Sequence, residues 1–514
     1  MRVLFSVRNP AYVRHYELVL RTLADRGHTV DLAKQSPKHA WPASVVALAS
    51  QHPRIRLSTL PDLAENPWWE LAARYRLARF YLRFLAPAYR HTRALRDRAR
   101  RRAPRLTVRL AEQWRLGAGG RRMLAALLGV LEQATRSAAP FHRYLREQQP
   151  DVIVLTPLVV LKTTQLDLGR AATELGIRNV FAVASWDHLS SKGLLTYMPQ
   201  EVFVWNETQR REAAQFHGVD PQRVVVTGSQ VFDDWFGRQP ALGREAFCRR
   251  VGLRADRPFI LYVGSSLLEG SPSEAAFVDR WARHVRASGH PALRECGILV
   301  RPHPRRGKEW RDATFDGLEN IVCWPPAGEL PVDAASKSDY FDSLVHSAAV
   351  VGINSSVMIE AAIVGRPVHT VLLPEFQDSQ EGTVHFHYLL DGPDAVLRAT
   401  RSLEAHARGL AESLDGGDPD RARSARFVRA FVRPRGTDVP ATQVVVEALE
   451  ALAGRPAPRA EPAPAWTHLL RPLLWPFARA AAARVRRVRE DARRRKHEAL
   501  IAHRRRKSAA AVDN

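Results

Sequence analysis

His303 in "RPHPR" (residues 301–305), Asp187 and His188 in "SWDHLSSKG" (185–193) and His15 in "NPAYVRHYE" (9–17) are the side chains of this sequence best suited to move a proton or hold an anion. His303 directly follows an apolar run and stands between two prolines that stiffen its backbone. A ring held in this way can donate to a diphosphate, although a surface histidine in a proline-rich turn has the same sequence. Asp187 and His188 are neighbouring titratable groups on a loop that also carries Lys192, a composition suited to general-base work. An Asx turn on a solvated loop would use the same residues. His15 is a third candidate base, and a histidine packed on the first helix is its plainer reading.

A fourth stretch, "VGINSSVMIEAAIVGRPVHTV" (351–371), reads as a strand end, the loop Asn354-Ser355-Ser356, and a short apolar helix closed by Gly365. Unpaired N–H groups at a helix start, with hydroxyls beside them, attract anions. One carboxylate, Glu360, sits in that apolar turn. It follows Ser356 by four residues, one too many for a reciprocal capping box. Its best remaining use is to accept hydrogen bonds from vicinal hydroxyls such as those of a ribose; complementing the helix dipole is the alternative. The segment "EFQDSQEGTVHFH" (375–387) is a further polar loop after a strong strand.

These loops need scaffolds. The opening residues read strand (3–7), helix (12–26), strand (29–32), the start of a doubly wound unit. Alternation resumes with "DVIVLTPLV", "NVFAVAS", "EVFVWN" and "RVVVTGS", and helices are expected over 163–175 and 207–217. After the linker "GSQVFDDWFGRQPALG", a second alternating set runs from "PFILYVGSS" through "GILVRPHP", "NIVCWP" and "AVVGIN" into "PVHTVLL". The fold class is therefore α/β, with two facing Rossmann-like doubly wound domains and a cleft between them. The expected boundaries are an N-terminal acceptor domain over 1–236, with a basic helical insert at about 67–137, and a C-terminal donor domain over 237–452. A Pro/Ala-rich linker and a basic amphipathic tail occupy 453–514. A weakly patterned helix over 418–452 either closes the second domain or crosses back to the first.

The formal net charge of +24 is local: residues 67–122 carry 16 Arg against 3 acids, residues 466–514 carry 14 Lys/Arg against 4 acids, and the other 409 residues sum to +1. A uniformly basic nucleic-acid binder would not look like this. The tail's apolar opening, Trp466 to Phe477, followed by an Arg-rich helix, is the composition of an interfacial anchor on anionic lipid. The sequence lacks a signal-peptide-like apolar run and an apolar stretch of about 18 residues. The expectation is a cytoplasmic protein, peripheral on the inner face of the membrane. Three dispersed cysteines imply no disulfide or metal pattern. Neither a GxGxxG nor a Walker loop is present, which argues against dinucleotide redox chemistry and NTP hydrolysis. No Asp-x-Asp pair stands at an expected strand end, "FDD" (232–234) lies in the linker, and neither metal nor cofactor is expected.

Taken together, the "VVVTGSQVFDDW" linker, the His-Pro loop and the Ser-Ser loop feeding "IEAAIVGRPV" resemble the GT-B superfamily. The resemblance extends to bacterial capsule and polysialic-acid transferases, glycerophosphotransferases and UDP-N-acetylglucosamine 2-epimerases, and spans roughly 1–66 and 140–450. It implies that His303, Ser355 and Ser356 bind donor phosphates and that Glu360 binds ribose, with Arg301, Asn354, Gly264 and Ser265 completing the nucleotide set. The implied function is metal-independent transfer of a sugar or polyol phosphate from a nucleotide-activated donor to a surface-glycan or lipid-linked acceptor, with Asp187, His188 or His15 as base. The alternatives are a sugar-nucleotide 2-epimerase, for which the N-terminal half offers no convincing set of carboxylates, and a non-catalytic membrane-binding scaffold.

Overall fold

The computed structural model describes the chain except residues 64–65, 114–115, 136–138, 269, 312, 416–419 and 511–514. The last residues of the expected insert and of the tail thus lie outside the described residues. Among those described, no helix is long and apolar enough to cross a membrane.

Two parallel sheets form the core. The first has seven strands in the order β3-β2-β1-β4-β5-β6-β7: β1 (Arg2–Val7), β2 (Thr29–Lys34), β3 (Ile55–Thr59), β4 (Val152–Thr156), β5 (Arg178–Ala182), β6 (Glu201–Val204) and β7 (Val224–Val226). The second has six in the order β10-β9-β8-β11-β12-β13: β8 (Phe259–Val263), β9 (Gly297–Arg301), β10 (Ile321–Cys323), β11 (Ala349–Gly352), β12 (Val368–Val371) and β13 (Leu397–Thr400). Strands covered on both faces must be apolar throughout; β4 and β8 are accordingly buried at every residue. In each sheet the strand order reverses at the first strand, between β1 and β4 and between β8 and β11, which are the switch points where open α/β sheets bind ligands.

The expected helix over 418–452 is broken. Asp420–Phe427 runs into a π turn, Val428–Val432, and a new helix starts at Ala441 after Pro434 and Pro440. This last helix, Ala441–Gly454, crosses back: Val445, Val446, Leu449 and Leu452 pack into the core around β1, β2 and β4. Of the two courses open to this segment from the sequence, residues 441–454 take the crossing, with their apolar face on the N-terminal body. Asp233 fastens the crossing, pairing with Arg433 at 2.7 Å and accepting the N–H groups of Ala441 and Thr442.

The insert forms helices Pro67–Phe84, Arg93–Arg102, Arg105–Glu112 and Ala118–Ala134. Several of its arginines face inward. Fully buried Glu132 accepts from Arg76 at 2.8 Å, Arg79 at 2.9 Å and Arg170 at 2.6 Å, and Arg76 also grips Asp167 at 2.9 Å. Burial alone would raise the Glu132 carboxyl, but Arg170, Arg76 and Arg79 override it and hold it down to about 2. Breaking such a buried pair costs about 3–5 kcal/mol, so the insert is tied to the N-terminal sheet. The tail helix Trp466–Ala510 lies on Pro67–Phe84, with Leu474, Ala478 and Ala481 packed on Leu71 and Ala134.

Candidate functional site

Every candidate residue except Arg301 and Glu360 lies in the connection leaving the carboxyl end of a strand: His15 at the end of a 3-10 turn after β1, Asp187 and His188 at the start of a one-turn helix after β5, Gly264 and Ser265 after β8, His303 after β9, and Asn354–Ser356 after β11. Arg301 closes β9, and Glu360 lies on the short helix Val357–Ile363.

On the C-terminal wall, the loops after β8 and β9 touch backbone to backbone. The Gly264 N–H donates to the Arg301 carbonyl at 2.8 Å, and a Cβ on Gly264 would lie 2.5 Å from the His303 nitrogen. Only glycine permits that approach. His303 Nδ1 accepts the Arg305 N–H at 3.2 Å, so the ring proton resides on Nε2, which is left as a donor. Burial, with Arg305 and Arg14 nearby, pushes its pKa down to about 4, and the ring is neutral at physiological pH.

Glu360 accepts from the hydroxyl of Tyr340. Burial pushes its carboxyl up to about 7, while the Tyr340 bond and the charge of Arg14 pull the other way. Arg301 stacks over the Tyr340 ring at 5.2 Å and reaches Asp339 at 3.4 Å. Its guanidinium therefore positions Tyr340 from behind. Ser265 is also committed: its N–H donates to Glu274 at 2.9 Å, and its Oγ accepts the Asn354 N–H at 3.0 Å. The Asn354 amide donates to the Ser379 carbonyl at 2.6 Å. Arg301, Ser265 and Asn354 thus shape the loops on this wall and have their polar groups engaged by protein. Ser356 differs: it is exposed at the helix start and its side chain makes no capping bond. Ser355 is buried, with its Oγ 3.4 Å from the Val357 N–H.

On the N-terminal wall, Asp187 Oδ2 pairs with Lys192 Nζ at 2.7 Å and accepts Ser191 Oγ at 3.1 Å, and Ser185 Oγ donates to Oδ1 at 2.7 Å. Burial would raise this carboxyl, but Lys192, His188 and His385 override it and hold it well below the usual range. Such a carboxylate is a weak base, which sets it apart from the role expected of it. His188 is 2 % exposed, its Nδ1 has no partner, and burial pushes it down to about 4. His15 Nε2 already accepts Arg14 Nε at 3.2 Å, its Nδ1 is buried without a partner, and burial with Arg14 and His188 takes it to about 3. Of the three expected bases, His188 keeps the imidazole least engaged by hydrogen bonds.

Three further residues complete the cleft. Arg14, beside His15, acts electrostatically on His303, Tyr340 and Glu360 from the opposite domain. His385, from the loop after β12, packs edge-on against Trp186 at 4.7 Å and brings an unpartnered Nδ1 to the Asp187 loop. Tyr12 stands 6.3 Å from His188 ring to ring. The sequence offered Arg14 and Tyr12 in the quoted "NPAYVRHYE" and His385 in "EFQDSQEGTVHFH", but no spacing in either marks them.

The insert supplies the brace. Arg83 is half-buried among Phe80, Phe84 and Tyr89, and its guanidinium donates to the carbonyls of Leu189, Lys192 and Gly193; Arg98 donates to that of Ser191. These two arginines, counted with the basic surface from sequence, instead hold the 185–193 loop. Among the described residues, no group of three or more His, Cys, Asp and Glu is arranged to hold a metal ion.

Two Rossmann-like doubly wound domains facing across a cleft constitute the GT-B architecture. No protein-family model and no curated protein matches the chain. Among solved structures, it is similar to a glycosyltransferase from Rickettsia africae (11% identity, 88% of this chain and 99% of that one, TM-score 0.49). It is also similar to UDP-GlcNAc 2-epimerases from Neisseria meningitidis, bound to UDP-GlcNAc (12%, 88% and 100%, 0.47), and from Methanocaldococcus jannaschii (11%, 88% and 99%, 0.47).

Proposed function

We propose that this chain is a transferase that moves a sugar, or a polyol phosphate, from a nucleotide-activated donor to a glycan or lipid-linked acceptor at an anionic membrane surface. The observation that carries the reading is the pairing of two unlike walls across one cleft. The C-terminal wall has a neutral His303 with a donor Nε2–H, Arg305 beside it, the open Ser356 hydroxyl and Glu360, and Arg14 faces them from the other domain. The N-terminal wall has His188 beside an ionised Asp187, and His385 reaches that loop from the C-terminal domain.

In this reading the donor diphosphate lies against His303, Arg14 and Arg305. Fixed positive charge and N–H donors stabilise the leaving group without reorganising as its charge develops. Glu360 accepts the ribose hydroxyls, exchanging the Tyr340 bond for them. His188 takes the proton of the acceptor hydroxyl while Asp187, held by Lys192, stabilises the resulting imidazolium.

The test is a thermal-stability screen of the purified protein with UDP-, CMP-, CDP- and GDP-linked donors. A ligand that binds only the folded state at a hundred times its Kd adds about 2.7 kcal/mol. One nucleotide should raise the melting temperature selectively. No shift with any of the four would count against the reading.

A further inference from the structure

The tail and the insert expose two apolar rows on neighbouring helices. On Trp466–Ala510, Leu470, Leu474 and Ala478 turn inward onto Leu71, Leu131 and Ala134, while Leu469, Leu473 and Phe477, each one position earlier, are 77%, 69% and 62% exposed. On Ala118–Ala134, Leu131 and Ala134 turn inward and Met123, Leu127 and Val130 are 73%, 53% and 43% exposed. Single exposed apolar residues are ordinary, but two helical rows side by side form a patch of the kind that marks an interaction site. Arg122 on the insert helix and Arg479, Arg484, Arg486 and Arg487 on the tail stand exposed beside the rows.

We infer that these two rows are one lipid-docking face, whose occupant is the surface of a bilayer rich in anionic headgroups. The chemistry selects that occupant. Flexible aliphatic side chains enter the acyl boundary while the arginine rim takes the lipid phosphates. Of the six row residues only Phe477 carries a ring, too little for the successive base stacking that nucleic-acid binding uses. A second copy docking through the same face would set like charge against like charge. The position also serves the function proposed above, on which the inference rests only for its purpose. Helix Pro67–Phe84 carries the tail against Trp68 and Leu71 near one end, and braces the 185–193 loop through Arg83 at the other. An 18-residue helix is about 27 Å long, so a lipid-linked acceptor is brought within one helix length of that loop.

Removing the tail would be a poor test, because it would bare Trp68, Leu71 and Ala134. The test uses the full chain and point substitutions on the outward rows, Leu473→Glu with Phe477→Glu and, separately, Met123→Glu with Leu127→Glu. Co-flotation is measured with vesicles of phosphatidylcholine alone and of phosphatidylcholine mixed with phosphatidylglycerol. Wild-type protein should float with the mixed vesicles and release as salt is raised. Each double variant should bind them at least about tenfold more weakly, with an unchanged melting temperature and unchanged nucleotide binding. Wild-type protein that ignores the mixed vesicles, or variants that float as wild type does, would overturn the inference. So would self-association or oligonucleotide binding that the same substitutions abolish while flotation persists. A failure of the transferase reading alone would appear separately, as loss of nucleotide binding with flotation intact.

Discussion

The Tyr340 hydroxyl donates to Glu360 Oε2, so the carboxylate that stands alone in an apolar helix finds its partner twenty residues upstream. Burial places its pKa near 7 against an ordinary 4.5. Between those values the folded chain keeps a proton that the unfolded chain releases. Stability from this group is therefore present below about 4.5 and lost as pH rises through about 7, by on the order of 3 kcal/mol. Glu360→Gln should remove that dependence and melt higher than wild type at pH 8.

The same titration governs nucleotide binding. An ionised Glu360 is the stronger acceptor for ribose hydroxyls, so donor affinity should rise between pH 6 and pH 8 (flanking the value of about 7). Glu360→Gln should flatten that rise and cost roughly tenfold to a hundredfold. A 2′-deoxy nucleotide already lacks the contact and should lose much less on the same substitution, which closes a double-mutant cycle with one partner on the ligand. Equal affinities throughout would leave Glu360 a residue of the protein interior only.

Gly264→Ala should act on a site whose residues it leaves in place. The added Cβ meets backbone atoms of His303 and Pro302, at 2.5 and 3.0 Å, which cannot rotate away. Overpacking of this kind typically costs about 1–3 kcal/mol, and the displaced His303 loop should weaken nucleotide binding as well. Gly289→Ala, with nothing within 4 Å of its Cβ, is the control and should change neither.

How much of this was legible beforehand varies with sequence distance. The doubly wound order, the linker and the short helix closed by Gly365 all follow from local pattern, and Gly365 duly adopts φ +69°. Strands β3 and β13 escape that pattern: Ile-Arg-Leu-Ser-Thr and Leu-Arg-Ala-Thr are short edge strands, half-solvated and therefore mixed in polarity. The crossing of 441–454 depends on which body offers an apolar groove, which no window of that helix contains. Likewise Arg14 is written beside His15, yet its role comes from facing His303 and Glu360 across the cleft. The insert's arginines read as surface charge because their carboxylate and carbonyl partners, from Glu132 to Gly193, lie far along the chain.

His188→Ala should lower turnover by about a hundredfold to ten-thousandfold, the usual range for a general base, while donor affinity stays within a few fold. Because the ring titrates near 4, the acid limb of the wild-type pH profile should fall below pH 5 and not near 6.5. Asp187→Asn should also impair turnover, by removing the charge that Lys192 holds in place. Wild-type rates in both variants would move the base elsewhere, with His15 and His385 next to test.

Arg83→Ala should loosen the 185–193 loop without touching the cleft's nucleotide wall. Leu189, Lys192 and Gly193 would lose the guanidinium that caps their carbonyls. Hydrogen exchange of amides 188–193 should accelerate at least tenfold while the β8 and β9 loops keep wild-type protection. Unchanged exchange in that loop would mean that the brace is dispensable.

The most direct measurement is a calorimetric titration of the purified protein with the nucleoside diphosphate that the thermal screen selects, repeated on His303→Ala. Wild type should bind saturably at one site per chain. His303→Ala should lose roughly tenfold or more, the scale of one hydrogen bond to a charged group. Absence of heat with every nucleoside diphosphate, or equal affinity in wild type and His303→Ala, would contradict the proposed nucleotide site.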